Sequence, residues 1–281
     1  MNKKFSLAVL IVLFFAFLPG TGEAGSISFR LYGGGNYLRG GDLNDGLHGW
    51  ADFWKANYPY IGHPYKTGTY NSVHLGFDCG GDVIYQISSR FGIGLGTEYL
   101  MAKRTTNMTF QPDIDWDYFG KPSAIPIKLS GYYYLPAGNR FKVILHAGLG
   151  YYFAKARLES HVKPPNELGY VIDSSASGIG FHGGIGLEWE LSSRLSLFVE
   201  GAGRYASFSG FEGTTTVTDK SGSGSWNGTL YYWTASKSYI QNYNYIDLLS
   251  GEPSNAGFNS YRQAKVDFSG FALRLGAVVR L

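Results

Sequence analysis

The chain has 281 residues, 40 of them glycine, with 17% aromatic and 16% charged side chains. Ordinary globular chains carry about 7% glycine and about 25% charge, so this is not a typical cytosolic core, and a single domain of unusual surface is expected. A formal net charge of +3 offers no concentrated basic face for nucleic acid, and the single cysteine, Cys79, excludes an intramolecular disulfide.

The N-terminus has the form of a secretory signal peptide: Lys3 and Lys4, an apolar run from Phe5 to Leu18, and a small-x-small site at Gly22 and Ala24. Residues 1–24 are therefore assigned to a signal peptide cleaved after Ala24, and 25–281 to one mature domain. Losing Lys3, Lys4 and Glu23 lowers the net charge to +2. The apolar run is too short for a transmembrane helix, and no other stretch approaches the roughly 20 apolar residues required. Gly25, not a cysteine, directly follows the cleavage site, so a lipid-modified N-terminus is not expected. Export without a helical anchor leaves a periplasmic, a secreted or a barrel protein.

The mature chain reads as strands of period two. The first sets Ile27, Phe29, Leu31, Gly33, Gly35 and Tyr37 against Ser28, Arg30, Tyr32, Gly34 and Asn36. A long loop, Arg39 to Tyr70, follows, in which Trp50, Phe53, Trp54 and Tyr58 have helical spacing and predict a short amphipathic turn on a rim. The second strand points Val73, Leu75, Phe77, Cys79 and Val83 outward and His74, Gly76, Asp78, Gly80 and Asp82 inward. After the turn Ser88-Ser89-Arg90, the third opposes Phe91, Ile93, Leu95, Thr97, Tyr99 and Met101 to Gly92, Gly94, Gly96, Glu98 and Ala102. A loop from Arg104 to Pro122 leads to a fourth strand, Ala124 to Leu135, with Lys128, Ser130, Tyr132 and Tyr134 inward. A short turn from Pro136 to Arg140 enters a fifth, Phe141 to Leu158, with Lys142, His146, Gly148, Gly150 and Tyr152 inward. Beyond a loop from Glu159 to Ala176, the sixth strand alternates Ile179, Phe181, Ile185, Leu187, Trp189 and Leu191 with Gly178, Gly180, His182, Gly184, Gly186, Glu188 and Glu190. Ser192-Ser193-Arg194 repeats the earlier turn chemistry. The seventh strand places Leu195, Leu197, Val199 and Tyr205 against Ser196, Glu200, Ala202 and Arg204. The longest loop, Glu212 to Lys265, precedes the last strand, Val266 to Leu281, whose outward face is Phe271, Leu273, Leu275, Ala277, Val279 and Leu281.

Eight strands joined alternately by short and long connections fit an all-β, antiparallel, up-and-down transmembrane barrel, with short periplasmic turns and long extracellular loops. Closure is required because lipid cannot satisfy an open sheet edge. The last strand resembles the C-terminal insertion signal of bacterial outer-membrane barrels at Arg274, Gly276, Val279 and Leu281, with Leu281 in place of the usual terminal aromatic. Together with the signal peptide, the eight strands and the IPIKLSGYYY segment, it resembles the small bacterial outer-membrane β-barrel family that includes the OmpA transmembrane domain and OmpX. That resemblance implies a barrel in the outer membrane, in contact with its lipids and lipopolysaccharide and assembled by the insertion machinery. It is nearly silent on activity. The competing soluble, lipocalin-like barrel would put the apolar face inside and the glycine-rich, charged face in water.

The inward faces carry six basic residues, Arg30, Lys128, Lys142, Arg204, Arg274 and Arg280, and six acidic ones, Asp78, Asp82, Glu98, Glu188, Glu190 and Glu200. Eight strands enclose room for side chains only, and an unpaired buried charge costs several kcal/mol, so an interior network of paired charges that closes the barrel is predicted. A gated pore whose pairs exchange partners is the alternative. A lipid-modifying enzyme, acyltransferase- or deacylase-like, would need a histidine beside Ser, Asp or Glu. His48, His63 and His161 lie in loops, His74, His146 and His182 on inward faces, and none sits in an H-x-S pattern. No catalytic residue, metal site or cofactor is therefore assigned: Asp42-Leu43-Asn44-Asp45-Gly46 lacks the spacing of an EF-hand. The aromatic Trp50, Trp54, Trp226, Tyr231 and Trp233 compose either a surface for an extracellular ligand or an extension of the wall. The expected function is structural or surface-binding, by a monomer that binds no nucleic acid.

Overall fold

Period-two alternation folds, in the computed structural model, into a wall of long antiparallel strands. The structure describes residues 25–112, 114–163, 168–237, 240–253 and 258–281; the signal peptide assigned to 1–24 lies outside them. In chain order the elements are β1 (Ile27–Gly41), α1 (Asp42–Asn57), β2 (Tyr65–Gly68), β3 (Leu75–Gln86), β4 (Phe91–Ala102), β5 (Arg104–Phe110), β6 (Ile114–Pro136), β7 (Phe141–Val162) and β8 (Leu168–Glu190). They continue as β9 (Leu195–Tyr205), β10 (Ser207–Phe208), β11 (Glu212–Asp219), β12 (Gly222–Lys237), β13 (Ile240–Leu249), β14 (Phe258–Gln263) and β15 (Val266–Arg280).

Eight of these strands close a ring in the order β1, β3, β4, β6, β7, β8, β9, β15 and back to β1. The eight-stranded antiparallel barrel read from the sequence is therefore present. Its outward face carries an exposed apolar band that includes Phe77, Leu95, Ile127, Leu149, Ile185, Leu197 and Leu273. On β6 the band runs from Ile125 to Leu135, a span suited to about 9–11 tilted residues across a bilayer. Val279, flanked in register by Phe29 and Leu195, is covered on this face rather than exposed. The two serine turns are alike: the hydroxyls of Ser88 and Ser192 each accept from the backbone N–H groups two and three residues on.

Beyond the band, at the long-strand end, the structure departs from the expected loops. Residues 104–110 and 114–122 form β5 and the start of β6, residues 159–162 and 168–176 extend β7 and β8, and the described residues from 212 to 263 include β11 to β14. β11 continues the wall on β8, and β12 carries both β13 and β14. These segments keep the period of two, but the apolar residues change sides. On β6, Ile125, Ile127 and Leu129 face out, whereas Ile114, Trp116 and Tyr118 are buried inside and Asp115, Asp117 and Lys121 lie on the outer face. A wall bordered by lipid is apolar outside; a wall bordered by water must bury that face within. The polar outer residues disguise the strands as loops.

The long first loop is also corrected. Gly40 and Gly41 have φ of 81° and 60°, a left-handed conformation that only glycine adopts cheaply, and they turn the chain from the wall into a 16-residue helix, α1. Leu43, Leu47 and Ala51, at helical spacing, join a core with Leu38, Leu100, Tyr152, Ile172, Phe208, Ile246 and Phe268. The sequence pattern sets Val73 outward and His74 inward; the reverse holds. They precede β3, so its alternation does not reach them: Val73 is buried against the helix, and the His74 ring stacks 4.9 Å from Tyr37, which itself stacks on the outward Phe271.

Candidate functional site

The inward residues of the band form one connected ion network. Arg274 lies at its centre, with Nε 3.0 Å and Nη2 2.6 Å from Asp78 Oδ2, Nη2 also 2.9 Å from Glu98 Oε2, and Nη1 3.5 Å from Glu200 Oε1. Lys128 Nζ is 3.1 Å from Glu98 and 3.3 Å from Asp82. Arg30 pairs with Glu200 and approaches Asp82 at 3.9 Å. Arg204 donates from Nε to the Phe268 carbonyl at 2.8 Å and lies 3.7 Å from Asp78. Four cations thus meet four carboxylates, all eight residues no more than 9% exposed. Towards the short-turn end, Arg280 pairs with Glu188, and at the rim a half-exposed Lys142 lies 3.4 Å from Glu190. All twelve predicted charges have an opposite partner.

Close packing of such large groups depends on what faces them. Glycine at 94 leaves room for the Tyr132 ring, and glycine at 276 for the Phe198 ring, over which the Arg30 guanidinium sits at 3.9 Å. The sequence placed Tyr32, Ser130, His146 and His182 inside but assigned them no role. Tyr32 donates its hydroxyl proton to Glu98 at 2.9 Å and accepts from Lys128. His146 Nε2 is 3.1 Å from Glu200, and His182 Nε2 is 2.8 Å from Ser130 Oγ. Residues 130 and 182 are remote in sequence, so no short motif could pair them. The cavity beside the two histidines measures about 10 Å³, barely the volume of one water.

A second seal lies above the network. α1 is held at its first residue by Asp42, whose carboxylate accepts from both terminal nitrogens of Arg262 and, at 2.7 Å, from the Lys265 N–H. Asn44 accepts from the Val73 N–H at 2.7 Å and the Tyr70 hydroxyl at 2.8 Å. Gly46 and Gly49 let the helix lie directly on β13: a Cβ at Gly49 would overlap the Asn244 carbonyl. The cavity between helix and wall is about 20 Å³ and is lined by Leu47, Trp50, Tyr118, Tyr170 and Ile246 among others.

The aromatic surface candidates turn mostly inward. The Trp54 ring lies 4.6 Å from Trp116, Trp50 lies 5.7 Å from Tyr170, and the buried Trp233 stacks 5.7 Å from Tyr245. Tyr231 is half-buried, and Trp226, 38% exposed, donates its N–H to the Leu248 carbonyl at 3.1 Å. The loop histidines are dispersed: His48 Nδ1 is 3.7 Å from Asp52, His63 Nδ1 is 3.0 Å from the Gln111 carbonyl, and His161 is 3.1 Å from Glu159. Among the described residues no group of three His, Cys, Asp or Glu side chains is placed to hold a metal, and no helix is long and apolar enough to cross a membrane. Of the insertion-signal positions, Arg274 is in the network, Gly276 faces Phe198, Val279 is covered, and Leu281 donates its N–H to the Ile27 carbonyl at 2.9 Å.

Comparison with solved structures gives the outer membrane protein OprG from Pseudomonas aeruginosa (9% identity, 92% of this chain and 97% of that one, TM-score 0.39). It also gives a major outer membrane protein from Thermus thermophilus (14%, 91% and 99%, TM-score 0.42) and the outer membrane protease OmpT from Escherichia coli (8%, 95% and 100%, TM-score 0.41). No curated protein sequence matches. The profile of the outer membrane protein beta-barrel domain matches residues 9–220, most of the chain. The chain therefore belongs to the outer membrane protein beta-barrel domain family, and it is a β-barrel protein of the bacterial outer membrane.

Proposed function

We propose that the protein is a closed, non-catalytic monomeric barrel that holds a rigid sheet above the outer membrane as a binding platform for an extracellular ligand. The observation that carries this reading is the double obstruction of the lumen, by eight buried charges at the level of the apolar band and by the α1 core above them. An eight-stranded wall has no spare width for a water path around them. The strands of the long-strand end support the platform role, since they continue the hydrogen-bonded wall instead of forming separate loops. In planar bilayers the folded protein is expected to give no steady conductance, and a stable single-channel current would overturn the closed barrel.

The non-catalytic part rests on access. The part-buried Ser130–His182 pair faces the lumen, next to a cavity too small for a lipid or peptide, and the loop histidines each have a different partner. Acyl patterns of lipid A and phospholipids in cells with and without the gene are expected to match by mass spectrometry. A difference abolished by His48→Ala or His63→Ala would establish an enzyme instead.

A further inference from the structure

The apolar band ends on β6 and β7 at Ile125 and Phe153, which face each other in register. The next outward rung pairs Ser123 with Lys155, and the one beyond pairs Lys121 with Arg157. Parity keeps these side chains on the lipid-facing side of the wall. With Tyr99 and Asp173 they line an outward groove of about 310 Å³. Arg157 is already neutralised, 3.0 Å from Asp173 and 2.5 Å from Glu159. Lys121 and Lys155 have no carboxylate partner among the described residues. Lys103, its ammonium 4.3 Å from the centre of the Phe119 ring, adds a cation to the same side.

Two unneutralised ammonium groups thus sit one rung above an acyl-compatible surface, at the end of the barrel with the long connections, which in this architecture is the extracellular one. At that depth the neighbour is the head group of the outer leaflet, and lysine suits phosphate as a point charge with rotatable donors. We propose that this groove binds the phosphorylated glycolipid of the outer leaflet, with Lys121 and Lys155 on a head-group phosphate, Ser123 on a sugar hydroxyl, and Ile125 and Phe153 against the first acyl carbons. The site needs only the membrane placement of the barrel and is independent of whether the lumen is closed.

The test is titration of the full folded barrel with bisphosphorylated lipid A, read as bound adducts by native mass spectrometry. Each lysine near an anionic lipid surface is worth about fivefold in binding. Lys121→Gln with Lys155→Gln is therefore expected to weaken binding about 25-fold, and the two Lys→Arg changes to retain it. Dephosphorylated lipid A should bind the unaltered protein as weakly, an arm that requires no variant to fold. Excess inorganic phosphate should not displace the lipid. Equal binding of the two lipid A forms, or undiminished binding by the double glutamine variant, would overturn the proposal. Displacement by inorganic phosphate would replace the lipid with a free-anion site.

Discussion

Arg274 is the residue on which the interior turns. It bonds Asp78 and Glu98 and approaches Glu200, and its guanidinium lies 4.6 Å from the Tyr32 ring centre. Arg274→Met is expected to destabilise the barrel by about 3–5 kcal/mol, because it strands buried carboxylates without a counter-charge. Adding Asp78→Asn should recover part of that loss. Urea unfolding followed by tryptophan fluorescence measures both, and equal midpoints for Arg274→Met and the unaltered protein would refute the network's role. Asp247 behaves differently, outside the band. Burial pushes its carboxyl up to about 6, although the Tyr170 hydroxyl and the Leu248 N–H donate to it. A raised carboxyl pKa favours the folded state when protonated, so this contribution is complete below the ordinary value of 3.8 and is lost as pH rises through about 6. β13 is expected to open more readily at pH 7 than at pH 4, by roughly 2 kcal/mol. Hydrogen exchange corrected for its intrinsic rate should show the difference, and Asp247→Asn should remove it.

At the scale of elements, α1 shows how glycines give a helix the look of a loop. Trp50, Phe53, Trp54 and Tyr58 announced its aromatic face, but Gly46 and Gly49 read as loop residues. Their absence of side chains is instead what allows contact with Ile246 and Asn244 on β13. Gly49→Leu is expected to lift the helix from β13. Limited proteolysis should then cut within residues 42–61 while the barrel keeps its heat-resistant, fast-migrating form on gels. Unchanged protease resistance would show that the helix is anchored elsewhere, most directly through Asp42 and Arg262. The same reasoning covers the upper strands. In β7 the buried Ala154, Ala156 and Leu158 alternate with Lys155, Arg157 and Glu159. That pattern is as regular as the one in the band, but of opposite sign.

For the whole molecule, the two seals act in series. Lifting α1 removes an apolar core at the long-strand end, yet the ion network below it still fills the lumen with paired side chains. The Gly49→Leu protein is therefore expected to remain as silent in a planar bilayer as the unaltered one. The platform is likewise a property of the whole: β12 bonds β13 on one edge and, in succession, β11 and β14 on the other, while α1 packs on β13.

The sequence by itself determined the eight wall strands, the sense of inside and outside across the apolar band, the serine turns, and the twelve charges that had to pair. Each is a local consequence of a pleated strand between lipid and a narrow lumen, where every second residue meets the same environment. Only the tertiary structure decided which carboxylate takes which cation, since Asp78 meets Arg274 across 196 positions of chain. It alone also decided that β5, β11 to β14 and the ends of β6, β7 and β8 are wall and not loop, and that Trp54 and Trp233 turn inward. The physical reason is that water replaces lipid outside the wall above the band. The face that must be buried changes there, and a sequence records that change only as a reversal of phase, whose meaning depends on where the membrane ends.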